Sequence, residues 1–234
     1  MSRLLATMRC DVRLQLRNGF YLAAGFVALY WVVLLVWLQH EDLGWILPIL
    51  VFNNLMINTF YFFSGLVLLE KREGTLEAQV VTPLRTGEYL ASKLVTLTLL
   101  GVLENLVITF IAFGPGFRIL PLILGMVLAA LIYCLVGFAV VARYDSINEF
   151  LMPSIPVFAA FAIPMLPYFG FFDGWWHYLH PLWGPLLLLR SAFQPIPAWQ
   201  TAYGLVYPLL WIAPILRWSR RAFYRFIVAR EGVR

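Results

Sequence analysis

Charge is scarce in this chain. Aspartate, glutamate, lysine and arginine make up 12% of its 234 residues, where an ordinary soluble domain carries about 25%. Hydrophobic residues make up 62%. The interior of a soluble fold of this length cannot hide so much apolar surface. Lysine is almost missing: Lys71 and Lys93 are the whole supply. A P-loop needs Gly-x-x-x-x-Gly-Lys-Ser/Thr to wrap phosphates in backbone amides. Glu70 precedes Lys71 and Ser92 precedes Lys93, so neither lysine belongs to such a loop. Any energy from ATP must arrive through another protein. Cysteine is limited to Cys10 and Cys134, before the first apolar run and inside the fourth. Neither a disulfide nor a metal site is expected from them. Internal repeats and low-complexity tracts are missing too, and nothing points to nucleic acid. No polar stretch is long enough to fold separately, so residues 1–234 are expected to form a single membrane domain.

What the chain does have is apolar runs long enough to cross a bilayer, which takes about 20 residues. Six are expected, near residues 19–38, 45–69, 94–113, 119–142, 150–170 and 201–218. The first is followed by Gln39-His40-Glu41-Asp42 rather than a small-residue cleavage site, and reads as a retained signal-anchor helix. Pro153, Pro156, Pro164 and Pro167 interrupt the fifth run, and Pro208 and Pro214 the sixth. Membrane helices tolerate such kinks when neighbours satisfy the freed carbonyls. On this division, fifteen of the 17 basic residues fall on one side of the membrane; Arg118 and Arg190 fall on the other. The positive-inside rule puts the basic side, with both termini, in the cytoplasm. The expected fold is therefore an all-α, multi-pass protein of the cell membrane.

Four pieces lie outside these spans. Residues 1–18 place Leu4, Leu5, Met8 and Val12 at helical spacing among arginines, which suits a helix lying at the cytoplasmic interface. Residues 70–93 form a cytoplasmic segment. Residues 171–200 are too apolar for a plain loop, and their Trp175, Trp176, Tyr178, Trp183 and Trp199 belong at a membrane surface. They are expected to form one or two short helices re-entering the outer leaflet. Residues 219–234 are read as a cytoplasmic basic tail. Asp173, His177 and His180 share the outer segment, but no fourth zinc ligand accompanies them. They read as interfacial polar residues, not a metal centre.

The most informative stretch begins Glu70-Lys71-Arg72-Glu73-Gly74-Thr75-Leu76-Glu77 and continues through Val80, Val81, Thr82 and Pro83 to Glu88-Tyr89 and Lys93. Gly74 lets the chain turn out of the second span. Thr75 is positioned to cap a short helix, and Pro83 cannot continue it. Thr86 is positioned to cap the next helix, with Glu88 favourable in its first turn. A stiff elbow results, exposing Glu77 and Gln79 and offering Leu76, Val80 and Val81 for docking. The alternative is a solvated loop that only sets topology.

This wording resembles the permease subunits of type-2 ATP-binding-cassette (ABC) transporters, and within them is most similar to the fluoroquinolone-export group. The resemblance covers nearly the whole chain. It implies that the elbow is a coupling helix seated in a cleft of a separate ATPase, with Gly74, Thr75, Leu76, Glu77, Val80, Thr82 and Pro83 at the contact. It also implies two copies of a P-loop ABC ATPase, which would carry the ATP and magnesium, and a second permease copy, identical or related. This chain would bind no cofactor itself.

Polar residues inside spans are costly unless they face protein or a water-filled path. Asn54, Asn58, Tyr61 and Gly65 recur at i, i+4, i+7 and i+11; Thr98, Gly101, Asn105 and Thr109 make a second stripe, with Glu104 beside it. Either the stripes line a translocation path or permease interface, with Asn54, Asn58, Tyr61, Thr98, Glu104 and Asn105 as its candidates, or they are packing glue within one subunit. Glu104, near mid-span, either handles cargo or protons or makes a structural hydrogen bond. The sequence thus reads as an export permease for a hydrophobic or amphipathic compound. An intramembrane lipid-modifying enzyme would gather acidic residues or histidines at the membrane face, and an uncoupled channel or scaffold would need no elbow.

Overall fold

The computed structural model describes residues 3–38, 42–76, 86–172 and 174–228. Among the described residues there is no strand. The helices run α1 (Arg3–Arg17), α2 (Phe20–Leu38), α3 (Leu43–Arg72), α4 (Thr86–Phe113), α5 (Ile119–Val141), α6 (Ile147–Ala162) and α7 (Met165–Tyr168). A 3-10 turn (Trp175–Leu179) leads to α8 (Trp183–Phe193) and α9 (Ala198–Phe223), which widens into a π-helical turn, Tyr224–Val228.

Five segments are long and apolar enough to cross a membrane: Phe20–Trp37, Leu43–Arg72, Gly87–Phe113, Ile119–Val141 and Ile147–Tyr168. They coincide with the first five expected runs. Helix α9 stands outside this group, although its 26 residues extend about 39 Å at 1.5 Å per residue. Gln200, Thr201, Tyr203 and Tyr207 dilute its first half, and Arg217, Arg220 and Arg221 crowd its last turns.

The core lies where α3, α5, α8 and α9 meet. Helix α3 buries Phe52, Leu55, Met56, Phe60 and Phe63. Gly137 of α5 lets Phe60 approach so closely that a Cβ there would lie 3.0 Å from its ring. Helix α8 is only 11 residues long, about 16 Å, too short to cross a bilayer. Everything from Trp183 to Leu189 is buried, so this part of the outer segment is packed inside the bundle. Its seat depends on small residues. A Cβ on Gly204 would lie 2.9 Å from the Gly184 carbonyl, and one on Gly125 3.0 Å from the Pro185 carbonyl.

The helix expected to begin at Thr86 does begin there and continues without a break into the third expected run as α4; Lys93 on it is fully buried because carboxylates surround it. Residues 219–228, read as the start of a basic tail, are helical, and Ser219, Ala222 and Phe223 are buried. Phe223 packs on Tyr89 and Phe138, with ring centroids 5.4 and 5.9 Å apart. Ser219 donates to the Leu135 carbonyl at 2.6 Å. At the opposite end, Arg118 donates through its backbone to Ala192 O and through its guanidinium to the Ser191 and Gln194 carbonyls, closing the α4–α5 loop over the end of α8.

The outer histidines are absorbed by packing. The His177 ring sits 4.5 Å from Tyr178 and 4.6 Å from Trp183. Asp173 lies outside the described residues. Pro164 has no N–H to give Ala160, four residues back. Ile163 N–H reaches that carbonyl at 3.3 Å, and His180 Nε2 lies 3.1 Å from it. His180 Nδ1 accepts from Leu182 N–H, so the neutral Nε2–H tautomer fits both contacts. Burial pushes the ring down to about 4; the Ala160 carbonyl opposes that shift. A histidine whose folded value lies below its unfolded value of about 6.5 contributes stability that is complete above 6.5 and is lost as pH falls towards 4. The melting temperature of purified protein is therefore expected to fall across that window. His180→Gln, which keeps a donor for Ala160, should flatten this part of the profile; an unchanged slope would exclude His180 as its source.

Candidate functional site

Two buried polar assemblies stand out, one at mid-bundle and one at the end that carries α1 and the elbow. The first joins α2, α3 and α4. Asn58 Nδ2 donates to Glu104 Oε2 at 2.6 Å, and Asn54 Nδ2 to Glu104 Oε1 and Asn105 Oδ1, each at 3.1 Å. Trp31 Nε1 donates to Asn54 Oδ1 at 3.2 Å, and Asn105 Nδ2 to Gly101 O at 2.8 Å. Both oxygens of Glu104 are thus matched, and the cluster holds three helices in register. Four of the six candidates for a transport path therefore come together: Asn54, Asn58, Glu104 and Asn105. Tyr61 instead meets Ser154 of α6, with the two hydroxyl oxygens 3.3 Å apart. Thr98 is buried on α4, and its hydroxyl has no hydrogen-bond partner among the described residues. The α3 stripe runs down to Gly65, which helps line a cavity of about 580 Å³ with Phe20, Leu68, Arg72, Ser146 and Asn148.

The second assembly centres on Lys93. Its Nζ lies 2.8 Å from Asp11 Oδ1 and 2.5 Å from Glu70 Oε1. The remaining carboxylate oxygens are matched as well. Ser92 Oγ donates to Asp11 Oδ2, and Tyr89 OH donates to Glu70 Oε2 at 2.7 Å. One turn further along both helices, Gln15 Nε2 donates to Thr96 Oγ1 at 3.0 Å. Asp11, Glu70 and Lys93 are each at least 97% buried. Charges so deep persist only when paired and fully hydrogen-bonded. The trio ties α1 to the last turn of α3 and the second turn of α4, the two helices that flank residues 73–85.

Other contacts fix the same end. Lys71 Nζ donates to the Ala142 and Tyr144 carbonyls at 2.8 and 2.7 Å, capping the C-terminus of α5. Arg17 pairs with Glu73 at 3.0 Å on the exposed surface, a contact of little energetic weight.

The start of the elbow differs in detail from its expected form. Gly74 does reverse the chain, with φ +66°, a left-handed conformation that favours glycine. The amides that Thr75 would cap lie outside the described residues. Thr75 Oγ1 donates back to Glu70 O at 3.2 Å, because the reversal folds it against the end of α3, where carbonyls lack helical partners. Leu76, expected to be offered for docking, is buried within the chain's own core at 2% exposure. Glu77, Val80, Thr82 and Pro83 lie outside the described residues.

Sequence reasoning missed the Asp11–Glu70–Lys93 trio. Asp11 and Lys93 are 82 positions apart, and no periodicity links them. The available signal was rarity: Lys93 is one of two lysines, and Asp11 is the lone acid in a basic N-terminal stretch.

The chain matches the model of the Fluoroquinolones export permease protein family over residues 2–231. It is 36% identical, over 236 aligned residues covering 100% of both chains, to the fluoroquinolones export permease proteins of two Mycobacterium tuberculosis strains, H37Rv and CDC 1551.

The trio makes a quantitative expectation. Lys93→Met leaves two carboxylates buried without a cation, which costs about 3–5 kcal/mol. A large drop in melting temperature in detergent should follow. Combining it with Asp11→Asn and Glu70→Gln removes the stranded charges and should recover much of the loss. A single Lys93→Met variant as stable as the parent would show that the trio does not hold α1 in place.

Proposed function

The chain belongs to the Fluoroquinolones export permease protein family, and on that premise we propose that it is the membrane-spanning subunit of an ABC exporter. It sits in the cell membrane with six spans, α9 being the sixth, and with α1, the elbow and both termini in the cytoplasm. Two copies of a separate P-loop ATPase bind below it and carry ATP and magnesium. A second permease copy completes the path. The cargo is an amphipathic drug-like compound, as the relatives' names suggest for them.

The observation that carries this reading is the clamping of the elbow. A lever transmits force only if its ends are anchored to the parts it must move. Glu70 precedes the elbow by one turn and Lys93 follows it, and the two meet at 2.5 Å over Asp11 of α1. A push on residues 74–83 would therefore reach α1, α3 and α4 together. In this mechanism Gly74 and Thr75 set the exit angle, and Glu77, Val80, Thr82 and Pro83 face the ATPase. Leu76 anchors the elbow from within. Nucleotide binding closes the ATPase pair, the elbows follow, and the helices tilt to open the path outward. The Asn54–Asn58–Glu104–Asn105 cluster keeps α3 and α4 moving as one. Tyr61 and Thr98 remain the candidates that the cluster does not engage.

Two expectations follow. Co-expressed with its cognate ATPase, the wild-type chain should co-purify with it and stimulate its hydrolysis when cargo is added. Val80→Asp should reduce both by at least tenfold while leaving membrane insertion intact; equal association would remove the elbow from the interface. Glu104→Gln turns one carboxylate oxygen into a donor facing Asn54 or Asn58, so the variant should insert normally but transport more slowly. Wild-type transport and stimulated hydrolysis in that variant would confine Glu104 to packing.

A further inference from the structure

Helix α1 presents an unusual surface once its rotation is fixed. Asp11 and Gln15 point inward onto α4, where they bond Lys93, Ser92 and Thr96. Asp11 is also the helix's only acidic residue, so turning it inward leaves no negative charge on the outer side. Arg9 and Arg13, one helical turn apart, are exposed there. Neither has an acidic partner among the described residues. Beside them Leu5 and Leu16 are 53% and 57% exposed. A groove of about 440 Å³ follows this edge, walled by Leu5, Met8 and Val12 on one side and by Arg9 and Arg13 on the other.

We propose that this groove is a binding site for an anionic phospholipid. The phosphate bridges the Arg9 and Arg13 guanidinium groups, which suit such a geometry. An acyl chain lies along Leu5, Met8 and Val12. A soluble phosphate would use the arginines but none of the apolar wall. A zwitterionic lipid would bring a quaternary ammonium to a face with no acid to receive it. Each arginine near an anionic surface contributes about 1 kcal/mol, so the pair gives a headgroup preference of about thirtyfold. Through Asp11 the lipid-bearing helix is joined to Lys93 and Glu70, so occupancy of the groove steadies the base from which the elbow works. That last consequence rests on the transporter reading; the lipid site does not.

The test uses the purified full-length chain alone in detergent, with retained lipid counted by native mass spectrometry. Phosphatidylglycerol and phosphatidylcholine of matched acyl chains are compared. The expected result is a preference for phosphatidylglycerol of tenfold or more. Arg9→Gln/Arg13→Gln should abolish that preference, and Arg9→Lys/Arg13→Lys should keep most of it. Melting temperature should be unchanged in both, because these side chains hold no ion pair among the described residues. Equal retention of the two lipids by the wild type, or an undiminished preference in the glutamine variant, would overturn the proposal. Release of the lipid by millimolar glycerol 3-phosphate would do so too, by making this a soluble-phosphate site. The assay contains neither ATPase nor cargo, so its failure is distinct from failure of the transporter reading.

Discussion

A lysine ammonium buried between two carboxylates governs how one end of this molecule is built. In water the three charges would gain little by meeting. Under helices, away from solvent, each is intolerable without the others. The arrangement is therefore all or nothing, and its value lies in specificity. Asp11 can be buried only if α1 takes one rotation and one depth against α4, and Glu70 only if the end of α3 arrives at the same point. Ser92 and Tyr89 occupy the remaining carboxylate oxygens, which leaves few alternative registers. The outward face of α1 and the take-off point of the elbow both follow from this constraint.

The mid-bundle cluster works by a gentler version of the same logic. Asparagine amides, not cations, meet the Glu104 carboxylate, and Asn54 relays the network to Trp31 of α2. In lipid, hydrogen bonds of this kind link helices that have no hydrophobic reason to prefer one another. The two assemblies lie on the same pair of helices, α3 and α4, at different levels. Together they tie that pair by polar contacts at two levels, at mid-bundle and near the turn at Gly74.

Much of this was legible in the sequence, and what was not has identifiable causes. The first five spans follow from uninterrupted apolar length, a local property. Asn54 and Asn58 announced a shared face through i, i+4 spacing, as did Gly101 and Asn105, and the structure joins those faces through Glu104. Tyr61 obeys the same spacing but meets Ser154 instead, because a 30-residue helix passes different neighbours along its length. Spacing gives the face, not the neighbour. The start of α4 was legible in Thr86 and Glu88, but the burial of Lys93 was not, because its partner Asp11 lies 82 positions away. The packing of residues 219–223 was hidden for a related reason. Their arginines dominate any local average, whereas Ala222 and Phe223 decide where the segment packs.

Helix α8 carries a consequence for biogenesis. Its seat is lined by α3 and α5, made before it, and by α9, made after it; the Gly184–Gly204 approach joins it to a residue twenty positions downstream. A short apolar helix cannot span, and it cannot rest in its final place until the last long helix has left the ribosome and come alongside. Helix α8 therefore docks late, as α9 arrives, while the ion pairs among α1, α3 and α4 can already be made. The same late helix brings Phe223 onto Tyr89, so both ends of the bundle wait on α9.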